Sequence, residues 1–595
     1  MPSVLSVKRF WFTNFFVLSL FLILAYQCVQ LTLIRRQALL ELANRQHLLS
    51  VDIPSLRGQI LDRKGKELAA NLKVPSLYAV PRLIESGERE QLAAQLHKVL
   101  NLDQAFILDR ISREKSFVWL KRRAGLEEAK KIKKWRHPAF GVLEEYRRFY
   151  PQSDLLAQVL GFTNIDNRGI EGIELLLNKV LQGAAGKRYT KRDALGREIK
   201  AFEIKQFPAV NGSHVTLTID QYVQYLTERA LDRAFRQWKA KGAFAVVMEA
   251  QTGRILAIAN RPTFNLNAYE TSNADSRRNR AVADMYEPGS VFKIVAASAA
   301  LNEGVATPTT IFDCENGAYH YGFSHALHEV HPYGKLSFAD VLVKSSNIGT
   351  VKIAALLEPE VFHHYIEKFG FGRPTGIDLP GEAPGYVRPP KQWSKTSPYN
   401  IPVGQEILVT ALQMTTAMAV IANGGKLVRP YVISEIQDLA GVPLRQKKPF
   451  VKDWVIRPEI AAAMREILVR VVEEGTGKKA QIKGIPVGGK TGTAQKVLPN
   501  GRGYSHSNFM SSFVGFAPAE KPLLAMTVVL DDPRPLYYGG TVAAPVFKEV
   551  AESVLLAAGY VPENAERLAE PIPAPRNFQG SQPLFPRAES LAAKT

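Results

Sequence analysis

An α+β fold behind a single N-terminal membrane-spanning helix is what this chain predicts, on three observations. Residues 10–34, FWFTNFFVLSLFLILAYQCVQLTLI, carry no formal charge over a length that, as a helix, crosses a hydrocarbon core of about 30 Å. Beyond them, period-two and period-3.6 apolar patterns are interspersed. The 595 residues are 46% hydrophobic and 22% charged, which supplies apolar surface for sizeable cores and excludes wholesale disorder.

The membrane segment comes first. A removable signal peptide has a shorter apolar region and a small-residue cleavage site, neither of which is present, so the segment reads as an uncleaved signal-anchor after a nine-residue leader. Lys8 and Arg9 favour an N-terminus inside the cytoplasm, whereas Arg35 and Arg36 pull against that orientation. No comparable run follows, so the remaining chain is expected on one side of the membrane.

RRQALLELANRQHLL after the anchor has helical spacing, and VDIPSLRGQILDRKGKELAAN reads as a strand pair turned at Asp62 to Gly65. Glu88 to Lys134 is mainly helical, and its basic cluster KKIKKWRH from Lys130 to His137 reads as a solvated helix face. Trp135 is the one aromatic there, so the stacking platforms of single-strand binders are missing. A glycine-punctuated stretch follows, with a helix between Ile173 and Leu181.

The texture changes at Asn211. HVTLTID reads as a strand, QYVQYLTERALDRAFRQW as an amphipathic helix, and GAFAVVMEAQTGRILAIANRP as two strands turned at Thr252 and Gly253. SSFVGFAPAEKPLLAMTVVLDD repeats the hairpin pattern, and APVFKEVAESVLLAAG is a last helix. The tail from Pro562 lacks periodicity and reads as flexible. The expected division is leader 1–9, anchor 10–34, first domain 35–210, second domain 211–560 and tail 561–595.

Lysine plus arginine exceed aspartate plus glutamate by 76 to 56, a formal charge of +20 that invites an anionic partner. The charge is spread along the chain, and the chain reads as exported, which together disfavour a nucleic-acid binder. Cys28 and Cys314 are the two cysteines, too few for a disulfide framework.

Three segments carry chemistry. In DMYEPGSVFKIVAASAALNEG, Pro288 and Gly289 break the chain before Ser290, and Lys293 follows one helical turn later, on the same face. A neutral lysine there takes the serine proton, which requires burial or a neighbouring cation to depress its ordinary value near 10.4. VLVKSSNIGTVKIAA places Ser345, Ser346 and Asn347 at the start of another helical run, and GIPVGGKTGTAQKV places Lys490, Thr491, Gly492 and Thr493 on a strand.

A serine nucleophile needs a base, oxyanion donors and a cation for a terminal carboxylate, and these segments contain each part. Lys490 holds the field positive and helps keep Lys293 neutral, Ser345 relays a proton, and Gly492 lets a substrate backbone approach the strand. Singly, each residue has a bland role as cap, solvated side chain, turn former or bulge. Ser-x-x-Lys alone is weak, since Ser112 and Lys115 match it too; Ser-x-Asn and Lys-Thr-Gly occur nowhere else in the chain. Cys314, His320, His325, His328 and His331 suggest zinc, but their spacing is wrong for a structural site, and they read as loop histidines near the cleft. No cofactor and no metal are expected.

The ordered set Ser-x-x-Lys, Ser-x-Asn, Lys-Thr-Gly is the signature of penicillin-binding proteins and related β-lactamases. With RGQILDRKGKELAAN at Arg57 to Asn71, RRFYP at Arg147 to Pro151, GFTNIDNRGIEGIE at Gly161 to Glu174, EPGSVFK at Glu287 to Lys293 and YYGGTVAAPVF at Tyr537 to Phe547, the chain resembles the class B high-molecular-mass penicillin-binding proteins over nearly its full length, most closely the division-specific penicillin-binding protein 3 type.

That resemblance implies an elongated pedestal or dimerisation-type domain, then a transpeptidase domain with an antiparallel sheet flanked by helices. It implies a peptidoglycan D,D-transpeptidase with Ser290 as nucleophile, Lys293 as base, Ser345 and Lys490 moving protons, and Asn347 binding a substrate amide. Lys490 with Thr491 or Thr493 would hold the donor carboxylate, and the amides of Ser290 and Thr493 would form the oxyanion hole. It implies stem-peptide substrates, β-lactam inhibitors, a polytopic SEDS-family glycan polymerase and other division proteins as partners, and an inner-membrane protein with its catalytic body in the periplasm. The short tail accords with a Gram-negative division enzyme. An elongation or sporulation transpeptidase, a β-lactam sensor and a non-catalytic scaffold are the alternatives.

Overall fold

The structure, a computed structural model, describes residues 4–37, 39, 48–192, 198–321, 326–329, 331–498 and 503–560. Most of the expected juxtamembrane helix, His325 and the tail from 561 lie outside the described residues. The apolar segment is a helix, Val4–Val29, continued by a wider turn through Gln30–Ile34. From Lys8 to Ile34 it is long and apolar enough to cross a membrane. Its large side chains, Phe10, Trp11 and Phe21 among them, are exposed, which separates it from a buried core helix.

The described chain forms two compact units. One contains residues 1–57, 73–146 and 182–212. Its strands Leu48–Ile53, Gly186–Arg192 and Glu198–Phe207 form an antiparallel sheet. Its helices Arg89–Leu100, Gln104–Ser112 and Leu126–Trp135 bury Leu96, Ile107 and Ile132 with Leu77 and Val118 of a paired strand segment. Lys130, Lys131, Lys133 and Lys134 face solvent on the last of these helices, and Lys130 pairs with Glu127 at 2.7 Å.

The second unit contains residues 58–72, 147–181 and those from Ser213 onward. Its centre is a five-stranded antiparallel sheet in the order Ile255–Arg261, Gly242–Glu249, Leu524–Asp531, Tyr504–Ala517, Gly488–Val497. The Gly242–Glu249 strand is buried at every residue, so both sheet faces are covered. Alternate side chains divide between two cores: Val246 and Met248 pack into one, Ala245 and Val247 into the other. The helix Ala411–Ala422, mostly apolar and wholly buried, belongs to the first core. The amphipathic helices Gln221–Gln237 and Ala544–Ala557 belong to the second.

Within this unit, charged side chains tie the early segments down. Arg148 donates from Nε to Glu174 at 2.6 Å and from Nη1 to the Gly58 carbonyl at 2.8 Å and the Asn71 side-chain Oδ1 at 3.3 Å. Arg148 and Glu174 are both sequestered from water, so neither charge has an alternative partner in solvent. Glu228 on the Gln221–Gln237 helix accepts from the Leu156 amide at 2.7 Å and pairs with Arg261 at 3.3 Å.

Replacing Arg148 with Met takes away the guanidinium that lies 2.6 Å from the buried Glu174 carboxylate. The expected result is a loss of about 3–5 kcal/mol in unfolding free energy, measured by denaturant titration; a midpoint unchanged from the parent would show that the pair does not stabilise the unit.

Candidate active site

Ser290 sits on a single tight turn, Gly289–Phe292, which the helix Lys293–Asn302 continues. Gly289 has φ +58°, a conformation that favours glycine, and its amide donates to the Gly404 carbonyl at 3.0 Å. The following helix, KIVAASAALN, is apolar around its whole circumference and is therefore buried, carrying Lys293 inside with it.

The second segment is a break between two helices. Phe338–Lys344 ends at Ser345, whose backbone is left-handed at φ +60°, and Asn347–Ala354 begins after Ser346, whose hydroxyl accepts from the Gly349 amide at 2.9 Å. Glu329 braces this second start, accepting from the Ile348 amide at 3.0 Å and from the Ser346 hydroxyl. The third segment is the edge strand Gly488–Val497, with Lys490 opposite Val514 and Gly492 opposite Ser512.

These three segments converge. Lys293 Nζ donates to the Ser345 carbonyl at 2.6 Å and the Asn347 Oδ1 at 2.6 Å, and lies 3.4 Å from the Ser345 hydroxyl. Lys490 Nζ donates to the same Ser345 hydroxyl at 2.7 Å and to the Thr491 carbonyl at 3.3 Å. One hydroxyl thus bridges two amines. Both lysines are 0% exposed, and neither makes an ion pair among the described residues.

Burial lowers the Lys293 amine to about 7, against a smaller upward pull from Glu329. Burial also pushes Lys490 well below its ordinary value, and the neighbouring Lys293 lowers it further. Of the two causes the sequence offered, burial and a neighbouring cation, burial is the one that lowers the Lys293 amine.

Above the amines opens a cleft of about 860 Å³ lined by Ser290, Ser345, Asn347, Thr491 and Thr493. Ser290 lines it, and its hydroxyl has no hydrogen-bond partner among the described residues. Thr491 Oγ1 lies 2.7 Å from Thr476 Oγ1. Thr493 Oγ1 accepts from the Gly539 amide at 3.1 Å, which leaves its own proton available to an anion.

Gly492 does not line the cleft. A Cβ there would lie 2.4 Å from Ser512 Oγ and 2.9 Å from both the Pro288 carbonyl oxygen and Val291 Cγ1. What a side chain at Gly492 would meet is Ser512 and the turn that carries Ser290.

The cleft also holds residues to which the sequence gave no role. Thr476 is one, and Phe509, Tyr537 and Tyr538 form an aromatic wall, with Phe509 stacked on Tyr537 at 3.9 Å between ring centres. Thr476 carries no signal beyond flanking glycines, whereas Tyr537 and Tyr538 stand in a motif already singled out. His328 and His331 line the cleft, and among the described residues no group of three or more His, Cys, Asp or Glu could hold a metal ion.

Residues 52–217 match the family model of the penicillin-binding protein dimerisation domain, and residues 243–552 that of the penicillin-binding protein transpeptidase domain. Stage V sporulation protein D of Bacillus subtilis is 34% identical over 562 residues, which cover 93% of this chain and 86% of the relative. The peptidoglycan D,D-transpeptidase FtsI of Escherichia coli is 32% identical over 518 residues, covering 86% of this chain and 85% of the relative. Penicillin-binding protein 3 of Mycobacterium tuberculosis, solved in complex with aztreonam, matches with a TM-score of 0.67 at 28% identity, covering 85% of this chain and 97% of that chain. Conserving both family domains in order around a serine, two buried lysines and an edge strand, the chain belongs to the class B penicillin-binding proteins, of the penicillin-binding protein 3 type.

Proposed function

We propose that this protein is a penicillin-sensitive peptidoglycan D,D-transpeptidase that cross-links stem peptides during septal wall synthesis. The observation that carries the reading is the Ser345 hydroxyl held between two buried amines beneath the cleft that Ser290 faces. Ser290 Oγ attacks the penultimate D-alanine carbonyl and passes its proton to the neutral Lys293 amine. Collapse of the tetrahedral adduct breaks the peptide bond. Terminal D-alanine leaves with a proton delivered through Ser345, and the acyl group stays on Ser290. An amine of a second stem then attacks the ester, gives up its proton along the same path, and releases Ser290.

The Gly488–Val497 strand ends the sheet, so an extended stem peptide can align along it as a further strand. Asn347 binds a peptide amide, Lys490 supplies positive potential, and the hydroxyls of Thr491 and Thr493 hold the terminal carboxylate. The amides of Ser290 and Thr493 receive the oxyanion. Gly492 serves by letting the nucleophile turn pack against the strand.

The N-terminal helix anchors the protein in the cytoplasmic membrane, with the leader in the cytoplasm and the catalytic unit in the periplasm. Residues 35–210 serve as a pedestal, and a SEDS-family glycan polymerase and other division proteins are the partners. A sporulation role is the second reading, favoured by the 34% identity to stage V sporulation protein D. A tagged copy at the septum of dividing cells supports the first reading, and one confined to forming spores supports the second.

Labelled penicillin is expected to attach to the parent protein and not to a folded Ser290→Ala variant; label on the variant overturns the assignment. Because Lys293 must be neutral to accept the proton, the acylation rate is expected to climb about tenfold per pH unit below about 7 and to level off above. A rate independent of pH across that range would remove Lys293 as the base. Gly492→Ala is expected to lower the acylation rate about 10²-fold by displacing the Pro288 to Val291 turn, whereas an unchanged rate would show the close approach to be dispensable.

A further inference from the structure

One buried carboxyl beside the nucleophile has no part in this scheme. Glu287 lies three residues before Ser290 and is 9% exposed. Its Oε1 accepts from the Glu406 amide at 2.9 Å and from the Tyr504 hydroxyl at 3.2 Å, while its Oε2 is buried without a partner. The two donors come from separate elements bordering the site.

Tyr504 opens the strand Tyr504–Ala517 and pairs with Val497 at the far end of the strand that carries Lys490 and Thr493. Glu406 follows Gly404, whose carbonyl accepts from the Gly289 amide and whose Cβ, were there one, would lie 2.2 Å from the Gly289 oxygen. Glu406 is itself fixed, with φ +59° and hydrogen bonds from Ser397 at 2.6 Å, Asn400 at 2.7 Å and Arg388. Glu287 therefore fastens the turn bearing Ser290 to both neighbours through one oxygen.

We propose that Glu287 is a positioning residue, which sets the attack geometry of Ser290 by clasping its turn to Tyr504 and the Glu406 backbone. The proposal rests on the transpeptidase reading and adds a residue to it. The clasp needs an acceptor and no charge. Burial and the nearby Glu406 carboxylate both hold the Glu287 carboxyl above its usual range. Arg388 is engaged with Glu406, and burial together with Glu287 keeps the Tyr504 phenol protonated. A glutamine has the same shape and the same accepting oxygen, so it preserves both bonds.

The test uses the full-length protein in detergent and a fluorescent penicillin, resolving reversible binding from the acylation rate constant. Glu287→Ala is expected to lower the acylation rate about 10–100-fold with binding changed less than about threefold. Glu287→Gln is expected to restore the rate to within about threefold of the parent, and Tyr504→Phe to fall between. An alanine variant at the parental rate, or a folded glutamine variant as slow as alanine, overturns the proposal. Should the alanine variant fail to fold, Tyr504→Phe decides: a rate lowered several-fold supports the clasp and a parental rate overturns it. Failure of the parent itself to form an adduct would sink the transpeptidase reading, an outcome separate from any of these.

Discussion

Two ammonium groups cannot both remain charged where water is excluded and no carboxylate pairs with them. Lys293 and Lys490 are in that position, and the Ser345 hydroxyl between them is their shared ligand. Desolvating a single ammonium costs several kcal/mol even after relaxation, so folding drives at least one amine to its neutral, basic form. The reactivity of the site is thus a by-product of where the chain places its dry volume.

The apolar Lys293–Asn302 helix carries one amine inward, and the Gly488–Val497 strand carries the other. The wholly buried Ala411–Ala422 helix and the doubly covered sheet supply the dry interior behind them. Some polar groups admitted to this interior have a definite structural part. Glu329 holds the start of the helix bearing Asn347, and its charge limits how far the Lys293 amine is depressed. Gly404 and Gly492 let backbone approach backbone on either side of Ser290, at distances a side chain would forbid.

What was legible in the sequence was what has a period or a spacing. The hairpin of residues 242–261, the hairpin ending at Asp531 and the helices Gln221–Gln237 and Ala544–Ala557 follow the apolar rhythm closely, because each buries one face or two. Ser290, Lys293, Ser345, Asn347 and Lys490 were picked out by resemblance, as the ordered set Ser-x-x-Lys, Ser-x-Asn and Lys-Thr-Gly, because Ser-x-x-Lys spacing alone recurs at Ser112 and Lys115. The discontinuous second unit was not legible, because Gly58, Asn71, Arg148 and Glu174 meet through pairwise polar contacts that leave no local pattern. Thr476, Glu329 and Glu406 escaped for the same reason, each being a single side chain from an irregular connection. Gly492 was seen, but its packing against Ser512 and the turn carrying Ser290 was not, since a sequence shows that room is needed without showing what fills it.

Ser345 carries a further implication. Its left-handed backbone would be adopted more comfortably by glycine or asparagine, with a gain on the order of 1 kcal/mol. Selection for heat resistance alone would therefore erode this serine, while selection for turnover would retain it. On the proton-moving role proposed for Ser345, a lineage released from wall synthesis would record its retirement here early, as a sturdier fold whose two amines have lost their bridge.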